Sequence, residues 1–557
     1  MSDTDRVPDR VTDRVTDRVT DRAAIDAITF EHRYAEALEG AWISVTPDVP
    51  PAPVLLWLND GLAAELGLDA ALLRRSEGLA MLSGQRVPAG ARPLAQAYAG
   101  HQFGGFSPQL GDGRALLLGE RIDVHGQRRD LAFKGSGRTP FSRGGDGKAA
   151  VGPVLREVIF GEALHALGIP ATRVLAAVAT GETVRRDRPL PGALLSRVAA
   201  SHLRVGTFQF FAVRGQTAML RKLVHHAIER HDPVLRGDAR PALALLRAVR
   251  DRQARLLAQW MGVGFIHGVM NTDNMTISGE TIDFGPCAFM EVHDPDAVFS
   301  SIDHQGRYAY GRQPEIAPWN LARLAEALLP LIAEELATPT AGAATAAGNA
   351  EDAAIAAATD IVQGWTAVYA AEWLAVHRAK AGLMPASVTG AAADAADRVL
   401  LQDLEQLLTR HRVDHTLGWR RLSALRRGDA PAWCALFSGP VDPSRLIPGS
   451  PAEPEGLPPD VRAWLVRLRV RWADADAGTE ATAAAAAAMD RVNPLYIARH
   501  HRVEPALDAA VERADLAPLL ALLAVLRDPY TERDGLQDWA EPAPLQATAM
   551  YRTFCGT

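Results

Sequence analysis

Asn274 and Asp283 bracket the stretch Met-Thr-Ile-Ser-Gly-Glu-Thr-Ile. The pairs Thr276–Ile277 and Thr281–Ile282 flank a turn at Ser278-Gly279-Glu280, and a short hairpin there brings Asn274 and Asp283 together. An amide oxygen and a carboxylate are hard donors that suit Mg²⁺ or Mn²⁺ bridging phosphates. The loop before them reads His267-Gly-Val-Met-Asn-Thr-Asp-Asn274, and Asp283-Phe284-Gly285 closes the segment. In a protein kinase the base Asp stands five residues before the metal-binding Asn. Here that position is Val269, which cannot accept a proton, and the loop's acid is Asp273. Either the nucleotide and acceptor sit differently from a kinase, or the chain is catalytically inert.

Upstream residues complete a phosphate-handling set. Leu110-Gly111-Asp112-Gly113-Arg114 is a Gly-x-Gly turn feeding an apolar strand, and glycine there permits positive φ and close approach to a phosphate. A plain hairpin turn gives the same pattern. Next, Asp130-Leu-Ala-Phe-Lys134 alternates, which puts Leu131 and Phe133 on one face and Ala132 and Lys134 on the other. The chain has only four lysines (Lys134, Lys148, Lys222 and Lys380), which argues against an incidental edge-strand lysine. Residues 152–168 have helical spacing, and Glu157 sits in them, 23 residues after Lys134. A strand lysine followed by a helix glutamate is the order of the kinase phosphate-positioning ion pair, although a surface glutamate fits equally. Arg197 and Arg204, and a polar loop with Arg143, Asp146, Gly147 and Lys148, add groups that could bind phosphate bidentately. Any one of them alone also reads as a surface residue of an arginine-rich chain.

These residues need a scaffold. The chain has 557 residues, 48% hydrophobic and 22% charged, which supports a large core and excludes global disorder. A net charge of −7 argues against a nucleic-acid coat or a basic membrane-surface protein. The longest apolar run, Leu516 to Leu526, is far shorter than the roughly 20 residues of a spanning helix. The N-terminus carries no apolar signal core. No membrane or nucleic-acid partner is therefore expected, and a cytoplasmic setting is the simplest. The Val-Thr-Asp-Arg repeat predicts a disordered tail over 1–23. Residues 24–205 predict a small β-rich N-lobe with an N-terminal extension. Residues 206–557 predict a larger, mainly helical C-lobe with the metal site and a C-terminal tail. The predicted class is thus α+β, bilobal and protein-kinase-like.

Several stretches together resemble the selenoprotein O family of pseudokinase-fold protein adenylyltransferases: Tyr98-Ala-Gly-His-Gln-Phe-Gly, Pro108-Gln-Leu-Gly-Asp-Gly-Arg-Ala, Leu131-Ala-Phe-Lys-Gly-Ser-Gly-Arg-Thr-Pro-Phe-Ser-Arg, His202-Leu-Arg-Val-Gly-Thr-Phe-Gln, Gly268-Val-Met-Asn-Thr-Asp-Asn-Met, Asn493-Pro and the terminal Tyr551-Arg-Thr-Phe-Cys-Gly-Thr. The resemblance runs from about Phe30 to the C-terminus; the repeat tail and the alanine-rich stretches lie outside it. It implies ATP bound in inverted orientation, so that AMP is transferred to Ser, Thr or Tyr hydroxyls of target proteins. It implies glycine-loop contacts from Gly111, Gly113 and Arg114, and a phosphate contact from Lys134 paired with Glu157. Asp146 and Gly147 would contact the nucleotide, and Arg197 and Arg204 its phosphates. Asp273 would accept the proton, and Asn274 and Asp283 would hold Mg²⁺ or Mn²⁺. Other expectations compete with this one: UTP as donor, γ-phosphate transfer, and a non-catalytic ATP-binding scaffold. Finally, Cys287 lies just past Asp-Phe-Gly and Cys555 near the C-terminus; a regulatory disulfide between them is one expectation, and two unlinked thiols the other.

Overall fold

A computed structural model describes residues 10–337, 347–383, 390–437, 457–473, 479–544, 546, 548 and 551–554. The fold mixes helices with an antiparallel sheet and divides into two compact units. One takes the chain up to Val158 together with Thr172–Arg236; the other takes Ile159–Ala171 and the chain from Gly237 on. This division differs from the expected boundary at 205/206. It runs inside the helix Val151–Ala166 and gives the first unit two more helices, Val205–Ala212 and Thr217–His231.

The first unit is built on strands β1 (Trp42–Ser44), β2 (Val54–Leu58), β3 (Leu94–Gln96), β4 (Gly100–Gln102), β5 (Gly105–Ser107), β6 (Ala115–Ile122), β7 (Arg128–Lys134), β8 (Ala149–Ala150), β9 (Arg173–Arg185) and β10 (Pro189–Ala199). The main sheet has the order β1-β3-β6-β7-β10-β9-β2, with β8 added to β10, and β4 and β5 form a hairpin of their own. The central strands are rich in Leu, Val and Ala and are buried along most of their length. On β7 the predicted alternation holds. Leu131 and Phe133 join Leu118, Leu194 and Val198 in the core, so Ala132 and Lys134 face the other way. Each such buried large side chain contributes about 1.5–3 kcal/mol.

The repeat at the N-terminus differs from expectation. Residues Arg10–Asp26 are helical rather than disordered. The end of this helix has partners the repeat does not show: Ile25 is in the core, Asp21 pairs with Arg75 at 2.8 Å and Asp26 with Arg86 at 2.5 Å. Tertiary contacts to its last turns thus hold a segment whose own sequence buries little.

Among the described residues the second unit is almost wholly helical, and Phe265–Ile266 paired with Ala288–Phe289 is its one short ladder. Side chains of the long helices Pro241–Val263 and Gln313–Ala337 hold the His267–Asp283 segment, and the helix Trp365–Ala381 packs on the first of them. No helix among the described residues is long and apolar enough to cross a membrane.

Candidate active site

In the first unit, Lys134 ends β7, and its Nζ is ion-paired with Glu157 Oε1 on the helix Val151–Ala166. Both side chains are buried, so the pair is expensive to separate. In the antiparallel register Lys134 faces Leu195 and Ala132 faces Arg197. Arg197 therefore shares the Lys134 face, one diagonal away, roughly 7–8 Å by sheet geometry. Arg197 is held from behind. Its Nε donates to His202 Nε2 at 3.1 Å, and His202 Nδ1 donates to Asp130 Oδ2 at 3.0 Å. Burial pushes the His202 imidazole down to about 4, so it is neutral and the Nδ1–H tautomer fits both bonds. Burial alone would raise the Asp130 carboxyl, but the Arg230 charge and the His202 bonds outweigh it and hold it below the usual carboxylate range. Arg204 donates from Nε to the His202 carbonyl at 3.1 Å, and its guanidinium lies 4.4 Å from the Tyr98 ring centroid.

The glycine loop is tied to the loop after β7. Thr139 Oγ1 donates to the Asp112 carbonyl at 2.6 Å, and Ser142 Oγ donates to the Gly113 carbonyl. Gly111 has φ +86°, and a Cβ there would run into the Phe141 ring. The close approach that requires glycine is thus to a neighbouring loop. Gly147, at φ +70°, is excluded from any larger residue by the Gly137 carbonyl. Asp146 accepts a two-pronged contact from Arg186, at 2.8 and 3.2 Å, and that hydrogen bond lowers its pKa. Its neighbour Lys148 pairs with Asp48 and Glu182 at 2.8 and 3.2 Å. A cavity in this unit is lined by Arg33, Arg128, Arg230 and Arg236 with Glu36 and Glu229, a mixed set that none of the sequence-predicted residues borders.

In the second unit, the loop 267–274 is fixed from within. His267 Nε2 donates to the Ile282 carbonyl at 2.9 Å, and its Nδ1 accepts from Val269 N at 3.3 Å. Burial pushes this imidazole down, and it stacks on Trp260. His267 thereby ties the loop to the residue preceding Asp283. Tyr308 donates to Asn271 Oδ1 at 2.6 Å and Asn320 to the Met270 carbonyl at 3.0 Å. Asn274 Nδ2 donates to the Val269 carbonyl at 3.0 Å, which turns its amide oxygen the other way. Asp273 is buried in the short turn Thr272–Asn274. Asp283 stands at φ +62°, a left-handed conformation uncommon outside glycine and of the kind that concentrates at functional sites. The expected hairpin is replaced by a side-chain closure. Thr276 Oγ1 donates to the Glu280 carbonyl at 2.7 Å and accepts from Glu280 N at 3.0 Å.

The described residues contain no group of three or more His, Cys, Asp or Glu side chains placed to hold a metal. Asn274 and Asp283 carry an amide oxygen and a carboxylate, hard oxygen donors of the kind a magnesium-type ion takes. Cys287 is buried and its Sγ donates to the Phe284 carbonyl at 3.2 Å. Cys555 lies outside the described residues.

A family model for the protein adenylyltransferase SelO matches residues 25–527. The chain belongs to this family. It is 56% identical over 517 residues to the protein nucleotidyltransferase YdiU of Chromobacterium violaceum, covering 93% of this chain and 99% of that protein. The protein nucleotidyltransferase YdiU of Cereibacter sphaeroides is 54% identical over 529 residues, 95% of this chain and 99% of its own. That of Mycolicibacterium smegmatis is 51% identical over 536 residues, with the same shares. The protein is thus an enzyme, a nucleotidyltransferase. The motif residues lie in both units of the enzyme: the Gly111 loop, Lys134, Glu157, Asp146, Gly147, Arg197 and Arg204 in the first, Asp273, Asn274 and Asp283 in the second. Sequence reasoning missed Asp130, His202 and Tyr98 as supporting groups, although all three lie in or beside the motif stretches. The missing signal was strand register, which sets Asp130 opposite Ala199 beside the turn that carries His202.

Proposed function

We propose that the enzyme transfers AMP from ATP to Ser, Thr or Tyr hydroxyls of target proteins, on a bilobal, kinase-like fold with inverted ATP. The carrying observation is a pair of buried arginines: Arg197, on the sheet face of Lys134, and Arg204, stacked on Tyr98. A γ-phosphate kinase has its base five residues before Asn274, and Val269 offers none. AMP transfer needs cations at the β- and γ-phosphates instead, because that is where charge builds as pyrophosphate leaves.

In this reading the acceptor oxygen attacks the α-phosphorus, an O–P bond forms, and the bond to the β-phosphate oxygen breaks. Pyrophosphate leaves, and the hydroxyl proton passes to Asp273 and on to water. Lys134, held by Glu157, and Arg197 and Arg204 bind the phosphates. Gly111, Gly113 and Arg114, with Asp146 and Gly147, shape the nucleotide's seat, Asp146 acting through Arg186. Asn274 and Asp283 would hold Mg²⁺ or Mn²⁺, which when bound neutralises phosphate charge. Targets are proposed to be cytoplasmic proteins.

Incubation of the full chain with acceptor protein and α- or γ-labelled ATP tests this. Label is expected on protein from the α position only. Label from γ alone would establish a kinase, and none from either a scaffold. α-Labelled UTP, with Mg²⁺ and with Mn²⁺, run in parallel decides between adenylyl and uridylyl transfer.

A further inference from the structure

The group that fixes Arg197 has no role in the chemistry above. From the surface inward it runs Arg230, Asp130, His202, Arg197. Arg230 Nη2 donates to Asp130 Oδ1 at 2.6 Å, and Arg230 is itself pinned to the Ala200 carbonyl from Nε and Nη2, at 2.8 and 2.6 Å. The other Asp130 oxygen accepts twice from His202, from the backbone N at 2.9 Å and from Nδ1 at 3.0 Å. His202 then presents a bare Nε2 lone pair to Arg197 Nε at 3.1 Å.

We propose that Asp130 and His202 are positioning residues that aim Arg197 at the nucleotide phosphates; this rests on the phosphate role given to Arg197 above. Three features carry it. First, a planar guanidinium bonded through Nε presents its Nη1/Nη2 edge, the end-on fork that meets phosphate bidentately. Second, the bond needs a neutral His202 with the proton on Nδ1, and Asp130 selects that tautomer, just as a carboxylate behind a catalytic histidine does. A protonated ring would set N–H against N–H. Third, a long arginine side chain ordered beforehand loses less freedom on binding. The relay is buried throughout, with Asp130, His202 and Arg197 each no more than 3% exposed.

The test is a kinetic cycle on the full chain, following label transfer from α-labelled ATP as ATP is varied. His202→Ala is expected to lower kcat/KM for ATP by about tenfold to 100-fold, the scale of a misplaced binding group. In an Arg197→Ala background the same change should add almost nothing. His202→Gln, which keeps one donor and one acceptor, should recover part of the loss. Asp130→Asn covers the case in which His202→Ala does not fold; it keeps shape and should show the same non-additivity at smaller size. Unchanged kinetics in both His202→Ala and Asp130→Asn would overturn the proposal. So would losses that multiply with that of Arg197→Ala, since a merely structural role is additive. If Arg197→Ala itself costs nothing, the phosphate role of Arg197 fails and this inference falls with it. If Arg197→Ala is damaging but the cycle is additive, the positioning role alone fails.

Discussion

Gly111 and Asp283 both hold positive φ, and the two ask different things of their neighbours. At Gly111 the reason is steric, since Phe141 occupies the space of a Cβ. Gly111→Ala should therefore cost about 1–2 kcal/mol from backbone strain alone, plus the displacement of Phe141. A drop in denaturant midpoint with a parallel loss of ATP affinity would check this. At Asp283 no glycine is used, so a carboxylate is worth its strain there. Asp283→Ala should abolish transfer and divalent-dependent ATP binding in a protein that still folds, its melting temperature equal or somewhat lower because alanine keeps the same positive φ. Wild-type transfer in that variant would remove Asp283 from the metal site. Asp273 is different again. Asp273→Asn should slow turnover by about 10²–10⁴-fold, the usual range for a proton-transfer group, with nucleotide binding largely kept. Binding that falls in step with turnover would make Asp273 a ligand and not the proton acceptor.

At the scale of elements, β7 and the helix Val151–Ala166 do the positioning, because each delivers one charge to a buried point. Removing Lys134 leaves the Glu157 carboxylate uncompensated in the interior. Lys134→Met should thus destabilise the fold by about 3–5 kcal/mol, in the range for a broken buried pair. The double change Lys134→Met with Glu157→Gln should regain much of that stability and none of the transfer activity. Chemical denaturation of the three proteins decides it; equal stability of single and double variants would show that the pair is not coupled. The same elements show what was legible in the sequence. The alternation of Leu131 to Lys134, the helix around Glu157 and the order of motifs depend on spacing within one segment, so they could be read directly. Arg197 facing Ala132 depends on the register between two strands, which no local pattern encodes. The pairs Thr276–Ile277 and Thr281–Ile282, which flank the Ser278 turn, suggest strands because Thr and Ile favour them. The threonine hydroxyl instead satisfied both Glu280 backbone groups and made a ladder unnecessary. The glycines were read toward a ligand because the loop they touch lies 28 or more residues further on. The repeat's own sequence gives a helix nothing to bury, and the support it does have, from Arg75 and Arg86, lies far along the chain.

Over the whole molecule, each unit carries its own core, and the second also buries charge that catalysis does not use. Arg499, fully buried, joins Glu291 to Asp414, while the tail residue Thr553 donates from its backbone N to the Phe299 carbonyl at 2.7 Å and from its hydroxyl to the Pro286 carbonyl at 2.8 Å. Lys380 is the more exposed to test. It is buried, with its ammonium 5.0 Å from the Trp419 ring centroid. Burial pushes its amine down to about 7, against the smaller opposing pull of the Glu405 charge. An unfolded lysine titrates near 10.4. Between about pH 7 and pH 10.4 the unfolded chain therefore binds a proton that the folded chain has released. Stability then rises with pH across that window, by at most roughly 1.4 kcal/mol per pH unit for one proton. Below pH 7 the amine is charged in both states, and the full cost of its burial remains. Lys380→Met keeps the length of the chain and removes the charge, and its backbone carbonyl still accepts from Asn493. The variant should melt higher than wild type at pH 7, and the gap should close as the pH approaches 10. The other groups titrating in that window are common to both proteins and cancel in the difference. A constant gap from pH 7 to pH 10 would mean that Lys380 stays protonated in the fold, with Glu405 rather than Trp419 as its effective partner.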